Sequence, residues 1–159
     1  MDVMKLGFGL YKHMLNPEGY RFARQCGATH LVIHLVDYFN TGANAADQPV
    51  SGGRGGGWGK AGDPNKLWTV DGLARIQQEA MDEGLTLHAI ENIDPAHWYD
   101  ILLDGPHRDR HICNVCEILR VMGEVGIPYL GYNFSLAGVY GRVEGNWARG
   151  KAGGGGMGG

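Results

Sequence analysis

No stretch of the chain approaches the ~20 consecutive apolar residues that a membrane-crossing helix needs, and the N-terminal MDVMKLGFGLYKHM lacks a basic region followed by a long apolar one. Neither a membrane span nor a secretory leader is expected, and the default is a cytoplasmic protein. Basic residues are few and dispersed, 14 against 17 acidic ones for a net charge of -3, with no Lys/Arg run. Without that electrostatic footprint, nucleic acid and anionic membranes are not expected partners. Cysteine is scarce too. Cys26, Cys113 and Cys116 are odd in number and stand in no secretory context, which points to reduced thiols and against a disulfide framework. A nucleotide cradle is also missing. The glycine-rich segment around Gly59-Lys60 has Arg54 where a P-loop needs glycine and Ala61 where it needs Ser or Thr.

What remains is the composition of one globular domain of 159 residues, 43% hydrophobic and 19% charged, long enough to bury a sizeable core. Its stops and starts are regular. KLGFGLY (5–11) reads as a strand. Asn16-Pro17-Glu18 then supplies an N-cap, an N1 proline and an acidic first turn for a helix that runs to Cys26 and meets Gly27. THLVIHLV is apolar and β-branched enough for a buried strand ending near Asp37. Residues 38–66 form a loop far longer than the usual 2 to 6 residues of an α/β connection, with Trp58 as a candidate apolar flap. Thr69 or Asp71 caps a second helix carrying Leu73, Ile76, Ala80 and Met81, and Gly84 stops it. LTLHAIE (85–91) is the third strand. A further helix is expected from about Arg108 to Val125, with Ile112, Val115, Leu119 and Met122 at helical spacing and Gly126 as its stop. Beyond Gly126 a short strand delivers Tyr132, Asn133 and Ser135 to a loop.

CGATHLVIH, EGLTLHAIE and VGIPYLGYN each place a helix-ending glycine shortly before a strand, the repeat of a parallel α/β sheet. Seven residues beyond Gly27, Gly84 and Gly126 lie His34, Glu91 and Asn133, which by strand alternation share one face and are expected to stand level. Two residues earlier are Val32, Ala89 and Gly131, small enough for a crowded barrel interior. Tyr11 follows the small pair Gly7 and Gly9 in the first strand and joins the same rim. Glu91, beside Asn92 and Asp94, is the best candidate for a base or ligand.

His107, His111, Cys113 and Cys116 suggest a zinc site. At about 100° per residue, however, the cysteines fall across the helix axis from the histidines, so they are expected to be small buried residues against the sheet. Asn133-Phe134-Ser135 matches a glycosylation sequon, a chance match in a cytoplasmic strand.

These residues resemble the mannonate dehydratases of hexuronate breakdown. The resemblance rests on KLGFGLYKHML, HLVIHLVDYF, LHAIENI, WYDILLDGPHRDRHI and, above all, GIPYLGYNFSLAGVYGR, spread over most of residues 5–142. It implies a (β/α)8 TIM barrel of the xylose-isomerase-like kind, of which this chain carries about the first four βα units in residues 1–142. Residues 143–159 are then expected to be a glycine-rich, disordered tail. It also implies dehydration of D-mannonate to 2-keto-3-deoxy-D-gluconate with Mn2+ or Fe2+, the metal ligands lying outside this chain. Tyr11, His34, Glu91, Asn133 and Arg142 are the expected sugar-acid-binding residues. None is assigned a catalytic or metal-binding role. Because the family is about twice as long, the chain is expected to be a truncated form. The alternatives are an inactive half-barrel that self-associates as a homo-oligomer to cover its edges, and a related sugar isomerase.

Overall fold

Three glycines set the rhythm of the chain: Gly27, Gly84 and Gly126 have φ of 88°, 74° and 84°, a left-handed backbone that any Cβ would strain. Each ends a helix and turns the chain into a strand. A computed structural model describes residues 4–39, 58, 61–135, 142–145 and 154–157. In it β1 (Gly7–Tyr11) leads through a single 3-10 turn to α1 (Pro17–Gln25), followed by β2 (His30–His34), α2 (Val70–Asp82) and β3 (Thr86–Glu91). A short α3 (Tyr99–Leu103) then precedes α4 (Arg108–Val125) and β4 (Tyr129–Gly131). The helix starts are chemical: Asn16 accepts from the Gly19 N–H at the head of α1, and Thr69 from the Gly72 N–H at the head of α2. The Ile127 N–H closes the end of α4 on the Met122 carbonyl.

The four strands pair in parallel in the order β1-β2-β3-β4, so the chain is an α/β protein with a parallel sheet. One sheet face carries Leu10, Leu31, Ile33, Leu87 and Ile90, all buried, against Tyr20 and Ala23 of α1, Leu73 and Ala80 of α2, and Ile118, Val121 and Met122 of α4. At roughly 1.5–3 kcal/mol for each large aliphatic side chain buried, this layer is the main source of stability. The other face shows Gly7, Gly9, Tyr11, Glu91, Tyr129 and Gly131, exposed in every case. Among the described residues no helix is long and apolar enough to cross a membrane.

The register departs from equal counting in two places. Between Leu31 and Val32 the pairing slips by one: Leu31 faces Leu87 but Val32 faces Ala89, leaving His88 as an extra residue in β3. That bulge lets Leu87 and Ile90, three apart, both reach the core. The second departure corrects an expectation. Glu91 pairs with Gly131 and Ala89 with Tyr129, so Asn133 stands two residues past Glu91 and Gly131 takes the level assigned to it. Parity, and hence the face, is preserved; the height is not.

Three further expectations change. Cys113 and Cys116, like Cys26, are exposed, because α4 turns His111, Ile118, Val121 and Met122 inward; Ile112 and Leu119 lie outward as well. β2 ends at His34, not near Asp37. Within the glycine-rich end, β5 (Arg142–Gly145) and β6 (Gly154–Met157) form an antiparallel pair, and the other residues of 143–159 lie outside the described ones.

Candidate functional site

The carboxyl ends of β1, β2 and β3 bring three of the expected rim residues together. Tyr11 and His34 are register partners, and their rings stack at 4.8 Å with 29° between planes. On the next strand, Glu91 Oε2 lies 3.7 Å from His34 Nε2, too long for a direct hydrogen bond and short enough for both atoms to contact one hydroxyl beside them. The histidine side chain is 14% exposed and the glutamate 51%. Burial pushes the His34 imidazole below its ordinary pKa, against the opposing pull of the Glu91 carboxylate, so His34 is neutral at pH 7. Among the described residues its buried Nδ1 has no hydrogen-bond partner. The pair therefore offers one carboxylate acceptor and one imidazole of mixed donor and acceptor character.

Asn133 sits in the 132–135 segment beyond β4 and lines a shallow depression of about 300 Å³ with Val32, Glu91, Asn92 and Gly131. It thus shares a surface with Glu91 despite standing two residues farther out. Arg142 begins β5 and pairs with Met157; its side chain lies outside the described residues.

Several residues that sequence reasoning did not place complete the rim. Asn92 has φ of 69°, a left-handed conformation that asparagine tolerates better than most residues. In that shape its backbone N–H donates to the Gly131 carbonyl at 2.8 Å and its Nδ2 donates to the Tyr38 hydroxyl at 2.8 Å. One residue thus ties the ends of β3 and β4 to the segment after β2. The Tyr38 hydroxyl is pushed above its usual pKa chiefly by burial. Trp58, expected as a flap, is buried, and its Nε1 donates to the Ser135 carbonyl at 2.6 Å. It stacks on Tyr38 at 6.3 Å and meets Trp98 edge-on at 5.3 Å. Trp98 stacks on Phe134 at 4.9 Å. This aromatic row holds the 132–135 segment in place.

Behind the rim, Asp100 and His111 of the WYDILLDGPHRDRHI segment are buried and bonded to each other. Asp100 accepts the His107 N–H at 2.8 Å, and its own N–H donates to His111 Nδ1 at 3.2 Å. His111 is fully buried and its pKa is lowered to about 4, first by burial and then by Arg110. Its structural role predicts a pH effect. Above pH 6.5 neither folded nor unfolded His111 is protonated. Between 6.5 and about 4 the unfolded chain takes up the proton and the folded chain resists it, so stability falls as pH falls, by about 2–3 kcal/mol from this residue. Urea denaturation at pH 7 and pH 4.5 should show that loss, and His111→Gln should flatten it. An unchanged pH slope in the variant would assign the effect elsewhere.

The manganese or iron implied by the resemblance needs several hard or nitrogen donors around one point. Among the described residues no three His, Cys, Asp or Glu side chains converge on a common point. His34 and Glu91 supply two donors at most, and the described residues do not fit a divalent ion.

The family model described as D-mannonate dehydratase (UxuA) matches residues 42–151. The mannonate dehydratase of Brachyspira hyodysenteriae is 35% identical over 75 residues, 47% of this chain and 20% of that protein. Mannonate dehydratase 2 of Halalkalibacterium halodurans is 38% identical over 68 residues, 43% of this chain and 19% of the relative. The chain thus spans about a fifth of the length of the curated relatives it matches. The crystal structure of mannonate dehydratase from Streptococcus suis serotype 2 superposes with a TM-score of 0.56 at 20% identity, covering 84% of this chain and 31% of that one. This last likeness speaks for the fold.

Proposed function

The chain belongs to the D-mannonate dehydratase family, and from that premise we propose that its rim forms the substrate-holding wall of an enzyme converting D-mannonate to 2-keto-3-deoxy-D-gluconate. In this reading the four-stranded sheet is part of a (β/α)8 barrel, its exposed face of small residues is the barrel interior, and the protein is cytoplasmic. The observation that carries the reading is the His34–Glu91 pair, 3.7 Å apart at the carboxyl ends of adjacent parallel strands, the position where barrel enzymes keep their sites.

Dehydration of a sugar acid begins with removal of the proton beside the carboxylate and ends when the neighbouring hydroxyl takes up a proton and leaves as water. The Glu91 carboxylate accepts a substrate hydroxyl and is the proton acceptor of this reading. Neutral His34 donates or accepts at the next hydroxyl, the Tyr11 ring walls the carbon chain, and the Asn133 amide and Arg142 take the remaining polar groups. We propose that the family's Mn2+ or Fe2+ is held by groups outside the described residues.

Calorimetric titration of D-mannonate tests this reading. Glu91→Gln, at an exposed position, should weaken binding at least about tenfold, equivalent to ~1.4 kcal/mol, with no loss of stability; binding as tight as wild type would remove the rim from the reading. Product analysis separates the isomerase alternative, which would turn an aldose or uronate into an isomeric ketose and leave D-mannonate unchanged. A second reading, an inactive self-associating scaffold, draws on one observation: the outer edges of β1 and β4 have no strand partner among the described residues. A stable monomer in sedimentation would end it.

A further inference from the structure

A functional histidine is usually oriented by a hydrogen bond at its second ring nitrogen. His34 has no such tether: among the described residues no hydrogen bond reaches its ring, and the Glu91 carboxylate stands off at 3.7 Å. What holds the imidazole is aromatic packing. Tyr11 stacks on it at 4.8 Å, and Tyr38 meets it edge-on at 5.6 Å with 72° between planes. Tyr38 also meets the Tyr11 ring at 5.9 Å with 82° between planes, so one tyrosine braces both of the rings that form the rim's left side in strand order β1-β2.

Tyr38 is in turn held at its hydroxyl, and among the described residues Asn92 is its hydrogen-bond partner, donating from Nδ2 at 2.8 Å. Asn92 does this from a left-handed backbone with φ of 69°. Only one other residue besides glycine, Asp104, shares that sign among the described residues. Positions of this kind persist where the surroundings hold them, and they gather at functional sites. Here the hold is double, because the Asn92 N–H donates to the Gly131 carbonyl at 2.8 Å while the side chain reaches Tyr38. Asn92 also follows Glu91 directly and lines the rim depression with it and Asn133.

We propose that Asn92 and Tyr38 form one positioning unit for His34, in which the Asn92 amide fixes the Tyr38 ring and that ring sets the angle at which His34 presents Nε2 beside the Glu91 carboxylate. Its consequence for D-mannonate rests on the rim reading; the hold on the His34 ring does not. Locking a site's side chains by packing and by hydrogen bonds from a second layer is the general means of keeping such a geometry.

Asn92→Gly is the informative substitution. Glycine takes a φ of 69° without strain and keeps the N–H that meets Gly131, so the change removes little besides the amide that holds Tyr38. Tyr38→Phe cuts the same bond from the other end and keeps the ring. The imidazole Cε1–H resonance of His34 is recorded in the ligand-free whole chain for both variants and for the double variant, with urea denaturation alongside. Each single variant should shift or broaden the resonance. The double variant should go no further than the larger single effect, because one bond is lost in all three. D-Mannonate affinity should fall at least fivefold in each variant, again without accumulating in the double. A residue that only supports the fold would lower the urea midpoint and leave the His34 resonance of the folded protein where it is.

The proposal is overturned if His34 resonates in the Asn92→Gly protein as in wild type, if the two single effects add in the double variant, or if the variants bind D-mannonate as tightly as wild type. Should the glycine variant lose its fold, an unmoved His34 resonance in Tyr38→Phe overturns the proposal by itself. If wild type takes up no D-mannonate, the rim reading fails, and the ligand-free spectra still decide whether Asn92 and Tyr38 hold His34.

Discussion

Trp98→Ala is expected to cost about 3–5 kcal/mol, the range for deleting a fully buried large aromatic. The ring has no exposed surface. It stacks on Phe134 at 4.9 Å with 11° between planes, meets Trp58 at 5.3 Å, and donates from Nε1 to the Ile93 carbonyl at 2.8 Å. Removing it opens a void under the 132–135 segment and leaves the Ile93 carbonyl without that donor, adding to the packing loss. Trp98→Phe keeps much of the stack and loses only the hydrogen bond and part of the volume, so it should fall well below the alanine variant. Urea denaturation of the three proteins measures both. An alanine variant within 1 kcal/mol of wild type would mean that the aromatic row does not hold the rim together.

Gly105→Ala is the second large effect, expected at about 2–3 kcal/mol, because a Cβ there runs into the Asp100 carboxylate. That carboxylate cannot simply move aside: it is buried and accepts the His107 N–H at 2.8 Å at the head of α4. A double mutant isolates the clash from the rest of the loss. Asp100→Ala alone should cost about 1.5–3 kcal/mol by orphaning the His107 N–H. It also removes the group that the new methyl meets. Asp100→Ala with Gly105→Ala should therefore be little worse than Asp100→Ala alone, a strong departure from additivity. Additive losses would show that the glycine is needed for some other reason.

Local chemistry was legible in the sequence. Asn16 and Thr69 are caps whose partners lie three residues away, and Gly27, Gly84 and Gly126 announce helix ends because the left-handed turn is a property of one residue. Strand parity put Tyr11, His34 and Glu91 on one face, and the structure brings them within contact. What failed was long-range. The height of β4 depends on its pairing with β3, which places Gly131 beside Glu91, and counting from Gly126 carries no information about that pairing. In α4, Ile112 and Leu119 looked like the core stripe because a histidine is not expected in one; yet His111 is buried there, its Nδ1 fixed by the Asp100 N–H. Once His111 faces inward, the cysteines must face out. Asn92 and Trp58 act through partners 54 and 77 residues away, a separation that no local pattern encodes.

The most direct test of the rim as the sugar-acid wall is a D-mannonate titration followed on the imidazole Cε1–H resonance of His34 in the whole chain. The account predicts a saturable shift of that resonance, reduced at least about tenfold in apparent affinity by Glu91→Gln. A His34 resonance that stays fixed while D-mannonate binds elsewhere, or that shifts equally in the Glu91→Gln protein, would contradict it.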